Sequence, residues 1–300
     1  MGFRTVEINK SSEIHIKNNQ LIVETNDKKI QIPIEDINQI TTQGANIRLS
    51  TMDINILNKN EISLVILNEK YLPSAIMLPF EGDKRQSKLM HKQININVRK
   101  RNSIWINIIN QKIINQSRVL SILKISNDDV LNCLDNLSIS NVDKNEALAA
   151  KQYFKSFQIG INRNIDSPIN SRLNYGYSIV RSYIARSLVA TGFHPTFGFH
   201  HNSQLNPFNL ADDLIEPFRP IVDLAALNNI GSNILLSKKE RKQISMVLHN
   251  ACIVNKTKVS VMQAIDLMIE SLKRIVLLNS KEKLLLPTVI PIEYLGGITE

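Results

Sequence analysis

Apolar and polar residues alternate with a period of two through the first 80 residues, and turn-forming residues separate the alternating runs. This pattern predicts short strands, rich in Ile and Val, as in a small β-sandwich. The predicted strands cover residues 5–9, 13–17, 21–25, 29–34 and 62–67. A short helix is predicted over residues 52–58, with Ser50 as its N-cap.

From about residue 87 the apolar positions follow helical spacing instead. Ile104, Ile108, Ile109 and Ile113 form one stripe of a long helix that also carries Trp105. Further helices are predicted over residues 146–157, 168–191, 210–228, 238–250 and 261–278. The fold class is therefore α+β, with a small N-terminal β-sandwich domain, residues 1–83, followed by a larger all-α-helical domain, residues 84–300.

The helix over residues 168–191 has the clearest boundaries. Ser167 is a suitable N-cap, Pro168 stands at the first helical position, and Gly192 lies just past the end.

The composition excludes several classes of protein. Of the 300 residues, 43% are hydrophobic and only 10 are Gly and 10 Pro, so the chain can bury a core rather than remain disordered. No apolar run approaches the roughly 20 residues that cross a bilayer, and the N-terminus has no signal-peptide stretch. We therefore expect a cytoplasmic protein without membrane contact. Cys133 and Cys252 lie in apolar surroundings, which favours buried thiols over a disulfide or a thiolate metal site.

The net charge of +9 is concentrated in one segment. Residues 1–80 hold 8 basic and 9 acidic side chains, whereas residues 81–125 hold 10 basic and only 2 acidic ones. A single run such as residues 99–101 is typical of a solvated helix face. An excess of eight positive charges within one segment favours a surface that binds phosphates instead.

Two places combine residues suited to metal binding or proton transfer. Glu146 is predicted to open a helix of small apolar residues, where its carboxylate either points inward or complements the helix dipole. Three of the six histidines lie within residues 192–201, in a segment with glycines and aromatic residues. These histidines either form a site or are satisfied by ordinary packing or solvent.

A third place is the acidic stretch that begins at Asp212. Asp213 and Glu216 share one helix face, and prolines at 217 and 220 each remove a backbone donor, which indicates a kink. Arg219 either neutralises Glu216 in a surface ion pair or belongs to a site. Two carboxylates and an imidazole, with no thiolate, suit Mg²⁺ or Mn²⁺ better than structural Zn²⁺. Next to a basic segment, such a set suggests metal-assisted phosphodiester chemistry.

The chain has no Gly-rich phosphate-binding loop, no HExxH and no GxSxG motif. The sequence therefore argues against an ATP-driven motor, a zinc protease of the HExxH class and an α/β-hydrolase.

Several motifs, in their order and spacing, resemble one known family over essentially the whole chain. They are Gly2-Phe3-Arg4-Thr5-Val6, Tyr71-Leu72-Pro73-Ser74-Ala75, Glu146-Ala147-Leu148-Ala149-Ala150, Leu173-Asn174-Tyr175-Gly176-Tyr177, Gly198-Phe199-His200-His201 and Asp213-Leu214-Ile215-Glu216-Pro217-Phe218-Arg219-Pro220. The chain resembles the CRISPR-associated integrase and endonuclease of the adaptation module, the first-numbered Cas protein, in its type II form.

The resemblance implies a set of site residues. The family's metal ligands fall on Glu146, His201 and Glu216, which would hold Mg²⁺ or Mn²⁺ and form the catalytic set. Asp213 and Arg219 would orient these ligands without binding the metal themselves. Ala147 departs from the Gly that many relatives carry, and we expect no loss of the site from it.

The resemblance also implies a reaction and partners. The family inserts short prespacer DNA into the CRISPR array, where a DNA 3′-hydroxyl attacks a phosphodiester at the repeat boundary. It forms a homodimer through its N-terminal β domains, and two dimers flank a dimer of the second-numbered Cas protein. In type II systems the RNA-guided effector nuclease and a ring-forming accessory protein also take part. Double-stranded DNA, both prespacer and repeat, is then expected on basic residues that include Lys84, Arg85, Lys88, Arg99, Lys100 and Arg101.

Two alternatives remain open from sequence. One is a non-catalytic DNA-binding assembly protein that keeps the fold. The other is a general metal-dependent nuclease on branched DNA, which would use the same ligands but release free cut ends instead of joined products.

Overall fold

In the computed structural model, the described residues are 4–8, 10–43, 46–67, 73–77, 86–135, 137–157, 162–228, 233–278 and 282–295. The chain divides into two compact units, residues 1–87 with 189–193, and residues 88–188 with 194–300. The expected domain boundary between residues 83 and 84 lies outside the described residues and stays a prediction.

The described part of the first unit contains two four-stranded sheets and an α-helix. Its elements are β1 (Arg4–Ile8), β2 (Ser12–Lys17), β3 (Gln20–Glu24), β4 (Lys29–Pro33), β5 (Ile37–Gln43), β6 (Ile47–Leu49), α1 (Thr51–Lys59), β7 (Ser63–Leu67) and β8 (Pro73–Met77). One sheet has the order β1-β5-β7-β8 and the other β4-β3-β2-β6. Both sheets are mixed, because β5 is parallel to β1 and β7 while β8 is antiparallel to β7, and β2 is parallel to β6 but antiparallel to β3.

Both sheets of this unit share one hydrophobic core. Leu21 of β3, Ile40 of β5 and Leu57 of α1 are fully buried in a single cluster of apolar side chains. Two sheets therefore contribute to one core, and the sandwich arrangement itself stays a prediction. Ser50 caps α1 as predicted, since its hydroxyl accepts a hydrogen bond from the backbone N–H of Asp53.

The second unit is mainly helical. Its α-helices are α2 (Gln86–Ile94), of which residues 86 and 87 count with the first unit, α3 (Val98–Ile122), α4 (Asp128–Leu131), α5 (Val142–Ser156), α6 (Pro168–Thr191), α7 (Asn209–Ile215), α8 (Arg219–Leu227), α9 (Lys238–Ser245) and α10 (Val261–Leu277). The boundaries predicted for α6 are confirmed. The Ser167 hydroxyl accepts a hydrogen bond from the backbone N–H of Asn170, and Gly192 takes a φ of 96° after the last turn.

The α+β class is confirmed, but the prediction of an all-helical second domain is wrong. Three strands, β9 (Asn250–Val254), β10 (Thr257–Ser260) and β11 (Thr288–Tyr294), form an antiparallel sheet of order β10-β9-β11. The helix expected over residues 238–250 ends at Ser245 and continues as a 3₁₀ turn, Met246–His249. The apolar residues after 246 fit both a helical and an alternating period, so spacing alone did not separate helix from strand.

The two cysteines are free and buried, as expected, and burial raises the pKa of the Cys252 thiol to about 12. None of the helices in the described ranges is long and apolar enough to cross a membrane.

Candidate functional site

The second unit contains a cavity of about 260 Å³ between its helices. Three cationic and three acidic side chains line it, together with polar, aromatic and aliphatic ones. The lining residues are Lys112, Gln116, Glu146, Ala150, Phe154, Arg163, Tyr177, Glu216, Arg219 and Asp223.

Lys112 lies at the centre of this charge arrangement. Its side chain is 8% exposed, and its Nζ contacts a carboxylate oxygen of Glu146 and lies 2.6 Å from Oε2 of Glu216. Burial by itself would lower the pKa of Lys112, but the carboxylates of Glu216 and Glu146 raise it. The side chain is therefore an ammonium ion held between two carboxylates from different helical segments.

Glu216 is the more enclosed of the two carboxylates. It begins a 3₁₀ turn, Glu216–Phe218, between α7 and α8, where the prolines were expected to interrupt the helix. Its Oε1 accepts a hydrogen bond of 2.8 Å from Nε of Arg219, so the expected pair exists but is largely buried. Burial would raise the pKa of Glu216, but Arg219 and Lys112 outweigh it and lower the pKa to about 2.

Glu146 reaches the same cavity from α5. This helix begins at Val142, so Glu146 stands beyond the first turn instead of opening the helix as predicted. Its carboxylate contacts the Lys112 ammonium. The inward orientation is therefore observed, and complementing the helix dipole is not its main interaction.

His201 is held in place by Asp213. Asp213 is fully buried on α7, and its carboxylate accepts hydrogen bonds from the backbone N–H groups of Phe199, His200 and His201. Nδ1 of His201 also lies 2.7 Å from Oδ1 of Asp213. This hydrogen bond raises the pKa of His201, against the effect of burial, and it leaves Nε2 as the nitrogen available to a metal or a proton.

Gly198 allows the chain to approach Asp213 closely. A Cβ at this position would lie 2.3 Å from the carbonyl oxygen of His201 and 2.9 Å from Oδ2 of Asp213. Since no side chain fits there, the hydrogen bonds that hold residues 199–201 depend on glycine.

His200 has a different environment from its neighbour. Its ring stacks on Trp105 at a centroid distance of 4.0 Å and an angle of 3° between the ring planes. Trp105 in turn donates from Nε1 to Oδ1 of Asp143 at 3.2 Å. His201 meets Trp105 only edge-on, at 6.0 Å. The two adjacent imidazoles therefore have separate partners, and only that of His201 is a fully buried carboxylate.

Asn115 supports the turn that carries Glu216. Its Nδ2 donates to the carbonyl oxygens of Pro217 at 2.7 Å and Pro287 at 2.9 Å, while its Oδ1 accepts from the backbone N–H of Val289 at 3.2 Å. One buried amide of α3 thus joins the proline-containing turn to the start of β11.

The remaining acidic residues near the site have other partners. Asp212 pairs with Arg181, from Nε to Oδ1 at 2.6 Å. Asp223 of α8 accepts a hydrogen bond from the hydroxyl of Tyr177. Burial raises the pKa of Asp223 to about 6, although the hydrogen bond from Tyr177 acts in the opposite direction.

The residues expected to contact DNA fall into three groups. Lys84 and Arg85 lie outside the described residues. Lys88 on α2 and Arg99 at the start of α3 are exposed, and Arg101 is partly exposed. Lys100 is partly buried, and its Nζ donates to the carbonyl oxygen of Ile275 at 2.6 Å, so it has a structural contact within the unit. Their contact with DNA stays a prediction.

The predicted metal ligands are only partly gathered. Within the described ranges, no three His, Cys, Asp or Glu side chains lie together in a geometry that would hold a metal ion. Glu146 and Glu216 converge on one positive charge, whereas the imidazole of His201 pairs with Asp213. The contact of Glu216 Oε2 with Lys112 is an ion pair without hydrogen-bond alignment, so this buried oxygen has no hydrogen-bond donor. Two carboxylates that share one cation are the type of ligand that a hard divalent ion prefers.

Sequence reasoning missed Lys112 as a site residue and counted it only within the basic segment. The signal was present in the helix period, because Lys112 follows Ile108 by four positions and Trp105 by seven. It therefore lies on the buried stripe of α3, where a lysine requires partners.

Known proteins resemble this chain over most of its length. The family model described as CRISPR associated protein Cas1 matches residues 7–256. The CRISPR-associated endonuclease Cas1 of Neisseria meningitidis serogroup C (strain 8013) is 30% identical over 301 residues, which cover 98% of each chain.

Solved structures show the same fold. A casposase bound to integration product has a TM-score of 0.76 at 20% identity and covers 94% of this chain and 92% of its own. A Cas6-RT-Cas1–Cas2 complex has a TM-score of 0.72 at 17% identity, with 94% of this chain and 36% of that one covered.

Proposed function

The chain belongs to the Cas1 family of CRISPR-associated proteins, and from that premise we propose that it is a divalent-metal-dependent DNA endonuclease and integrase of CRISPR adaptation. The observation that carries the proposal is the convergence of Glu146 and Glu216 on one cation, in the unit where Asp213 holds His201. These are the three residues to which the family motif assigns metal binding.

The proposed reaction is a transesterification. The oxygen of a prespacer 3′-hydroxyl forms a bond to the phosphorus at the repeat boundary, and the bond from that phosphorus to the 3′-oxygen of the flanking nucleotide breaks. The attacking hydroxyl loses its proton, and the leaving 3′-oxygen takes one up. One phosphodiester replaces another, so no ATP is required. A bound Mg²⁺ or Mn²⁺ would lower the pKa of the attacking hydroxyl and offset charge on the phosphate.

The chain's own residues supply the positions for this step. Glu146, His201 and Glu216 would hold the ion, the last two oriented by Asp213 and Arg219. Arg163, Arg219 and Lys112 line the same cavity and would offset the negative charge of a phosphate there. The exposed Lys88 and Arg99 would follow the DNA backbone without reading its bases.

The proposed partners follow from the family and from the titles of related structures. One solved neighbour is a complex that contains Cas1 and Cas2, and another is a casposase with integration product. We assign to this chain double-stranded DNA, a dimer of the second-numbered Cas protein, and a homodimer through the first unit. The Neisseria relative supports a type II form, in which the effector nuclease and the ring-forming accessory protein take part. We also propose that the protein acts in the cytoplasm of a prokaryote, where partners of this kind would meet the CRISPR array.

The experiment that tests the function is strand transfer in vitro. A labelled short duplex with free 3′-hydroxyls is incubated with a supercoiled plasmid that bears the leader and repeat, with Mn²⁺ or Mg²⁺ and with or without the second-numbered Cas protein. We expect branched half-site joints that disappear with EDTA and in Glu146→Ala, His201→Ala and Glu216→Ala.

Two results would contradict this function in different ways. Free cut ends without joints would indicate the general nuclease on branched DNA. Joint formation that survives all three substitutions would show that these residues do not carry catalysis, as a non-catalytic assembly protein requires.

A further inference from the structure

The site already contains a cation that belongs to the chain. The Lys112 ammonium contacts Glu146 and lies 2.6 Å from Oε2 of Glu216, and its side chain is almost completely enclosed.

One oxygen of the Glu216 carboxylate, Oε1, is already engaged by a residue other than Lys112. Arg219 donates to Oε1, so Oε2 is the oxygen of that carboxylate left for any further cation. A divalent ion held by Glu146 and Glu216 would need the same carboxylate oxygens that Lys112 now contacts.

We propose that Lys112 is an internal counter-cation that competes with the divalent metal for Glu146 and Glu216, and so sets the affinity of the site for metal. The proposal rests on the proposed metal dependence. It also accounts for the incomplete ligand cluster, since the two carboxylates are held around an ammonium ion and not around a metal with His201.

Charge balance explains why the site keeps this lysine. Without Lys112, the carboxylates of Glu146, Glu216 and Asp223 would share this cavity with only two lining cations, Arg163 and Arg219. Close carboxylates that lack a positive partner repel each other. Lys112 therefore offsets this repulsion and holds the carboxylates of Glu146 and Glu216 near each other before metal arrives. The same positive charge repels an arriving Mn²⁺, so the lysine that keeps the carboxylates together also weakens metal binding.

Binding of Mn²⁺ alone, without DNA, tests this role separately from catalysis. The free Mn²⁺ signal in electron paramagnetic resonance gives the dissociation constant for the parent and for Lys112→Met at pH 8. We expect Lys112→Met to bind Mn²⁺ about tenfold more tightly or better, because it removes a buried competing charge. Lys112→Arg, which keeps the charge, should stay within about threefold of the parent.

Matched variants make the result specific. Lys151→Met removes one positive charge from the exposed side of α5 and should leave Mn²⁺ affinity unchanged. Lys112→Gln serves as a second neutral variant if Lys112→Met fails to fold, as judged by circular dichroism. Mn²⁺ should also raise the melting temperature of the neutral variants more than that of the parent.

The outcomes distinguish a failure of the Lys112 proposal from a failure of the proposed metal-dependent function. If Glu216→Gln loses Mn²⁺ but neither neutral variant binds it more tightly than the parent does, the metal site stands and the role of Lys112 is overturned. If Glu216→Gln binds Mn²⁺ as tightly as the parent, the metal site itself is wrong and the proposal falls with it.

Discussion

Nδ1 of His201 and the backbone N–H of the same residue both lie within 3.0 Å of Oδ1 of Asp213. One buried carboxylate oxygen therefore fixes both the ring and the main chain of His201. The other oxygen accepts from the two preceding backbone N–H groups. An arrangement of this kind selects one ring tautomer and removes rotational freedom from the imidazole.

Replacement of this carboxylate by an amide should disturb the whole segment. Asp213→Asn puts an NH₂ group where backbone N–H groups now donate, so at least one buried donor loses its acceptor. We expect strand transfer to fall by about 10- to 100-fold, and the pKa of His201 to fall toward its ordinary value. The assay is joint formation, with the pKa followed by NMR of the imidazole. Asp212→Asn, which removes the partner of Arg181 instead, should cost much less activity. Equal losses in the two variants would contradict a specific role for Asp213.

Gly198→Ala should separate activity from stability. Because its Cβ would overlap the carbonyl oxygen of His201, the backbone of residues 198–201 must shift. We expect at least a tenfold loss of joint formation, with a destabilisation of about 1–3 kcal/mol by urea unfolding. Leu205→Ala is the control, since Leu205 is 95% exposed in the segment that follows. An active Gly198→Ala protein would show that the site tolerates a displaced His201.

The adjacent histidines should differ in their importance. His201→Ala removes a proposed ligand and should lower joint formation by 100-fold or more. His200→Ala removes the stack on Trp105 and a 3.6 Å contact with the exposed Asp143 carboxylate, and it should cost about tenfold or less. The measurement is the initial rate of joint formation for both proteins in the same Mn²⁺ buffer. A reversed order would transfer the ligand role to His200.

The pKa of Asp223 predicts a pH dependence of stability. Its folded-state pKa is about 6, against an ordinary value of 3.8, so the folded protein binds this proton more tightly than the unfolded chain. The proton's stabilisation is present below pH 4 and is lost as the pH rises from 4 through 6. From the two pKa values the loss is roughly 2–3 kcal/mol. Asp223→Asn lacks this titration, so its stability relative to the parent should rise by that amount between pH 4 and 7. Urea unfolding at both pH values measures it, and parallel curves would contradict the assignment.

The exposed end of α3 should bind DNA through charge alone. Arg99→Glu should weaken binding to duplexes of any sequence and reduce the slope of log affinity against log salt by about 1. Lys124→Glu, exposed at the opposite end of α3, is the matched control. Fluorescence anisotropy across a salt series gives both slopes. If the two variants cannot be distinguished, the DNA surface lies elsewhere.

Much of the local structure was predictable from sequence because it depends on short-range signals. Alternation predicted the early strands, and Ser167 with Gly192 bounded α6 correctly. Strand β5 was not predicted, since it consists largely of Asn, Gln and Thr around two isoleucines. Its strand character comes from parallel pairing with β1 and β7, a tertiary effect that local spacing does not contain.

The site was predictable in its members but not in its contacts. The family motifs named Glu146, His201 and Glu216, and the structure places two of them on a shared cation. That cation was not foreseen, because the meeting of Lys112 with two carboxylates is set by how α3, α5 and the Glu216 turn pack together. Residues 34 and 104 positions apart in sequence have no local pattern that would connect them.

The Asn115 amide has a consequence for the order in which the protein is made. It holds the carbonyl of Pro217, next to Glu216, within a network that also includes Pro287 and Val289. When translation has just passed Glu216, the nascent chain contains every proposed ligand but still lacks residues 287–289. The hydrogen bonds of Asn115 around the Glu216 turn are therefore complete only after residue 289 has emerged, and a shorter nascent chain has the proposed ligands without this full support.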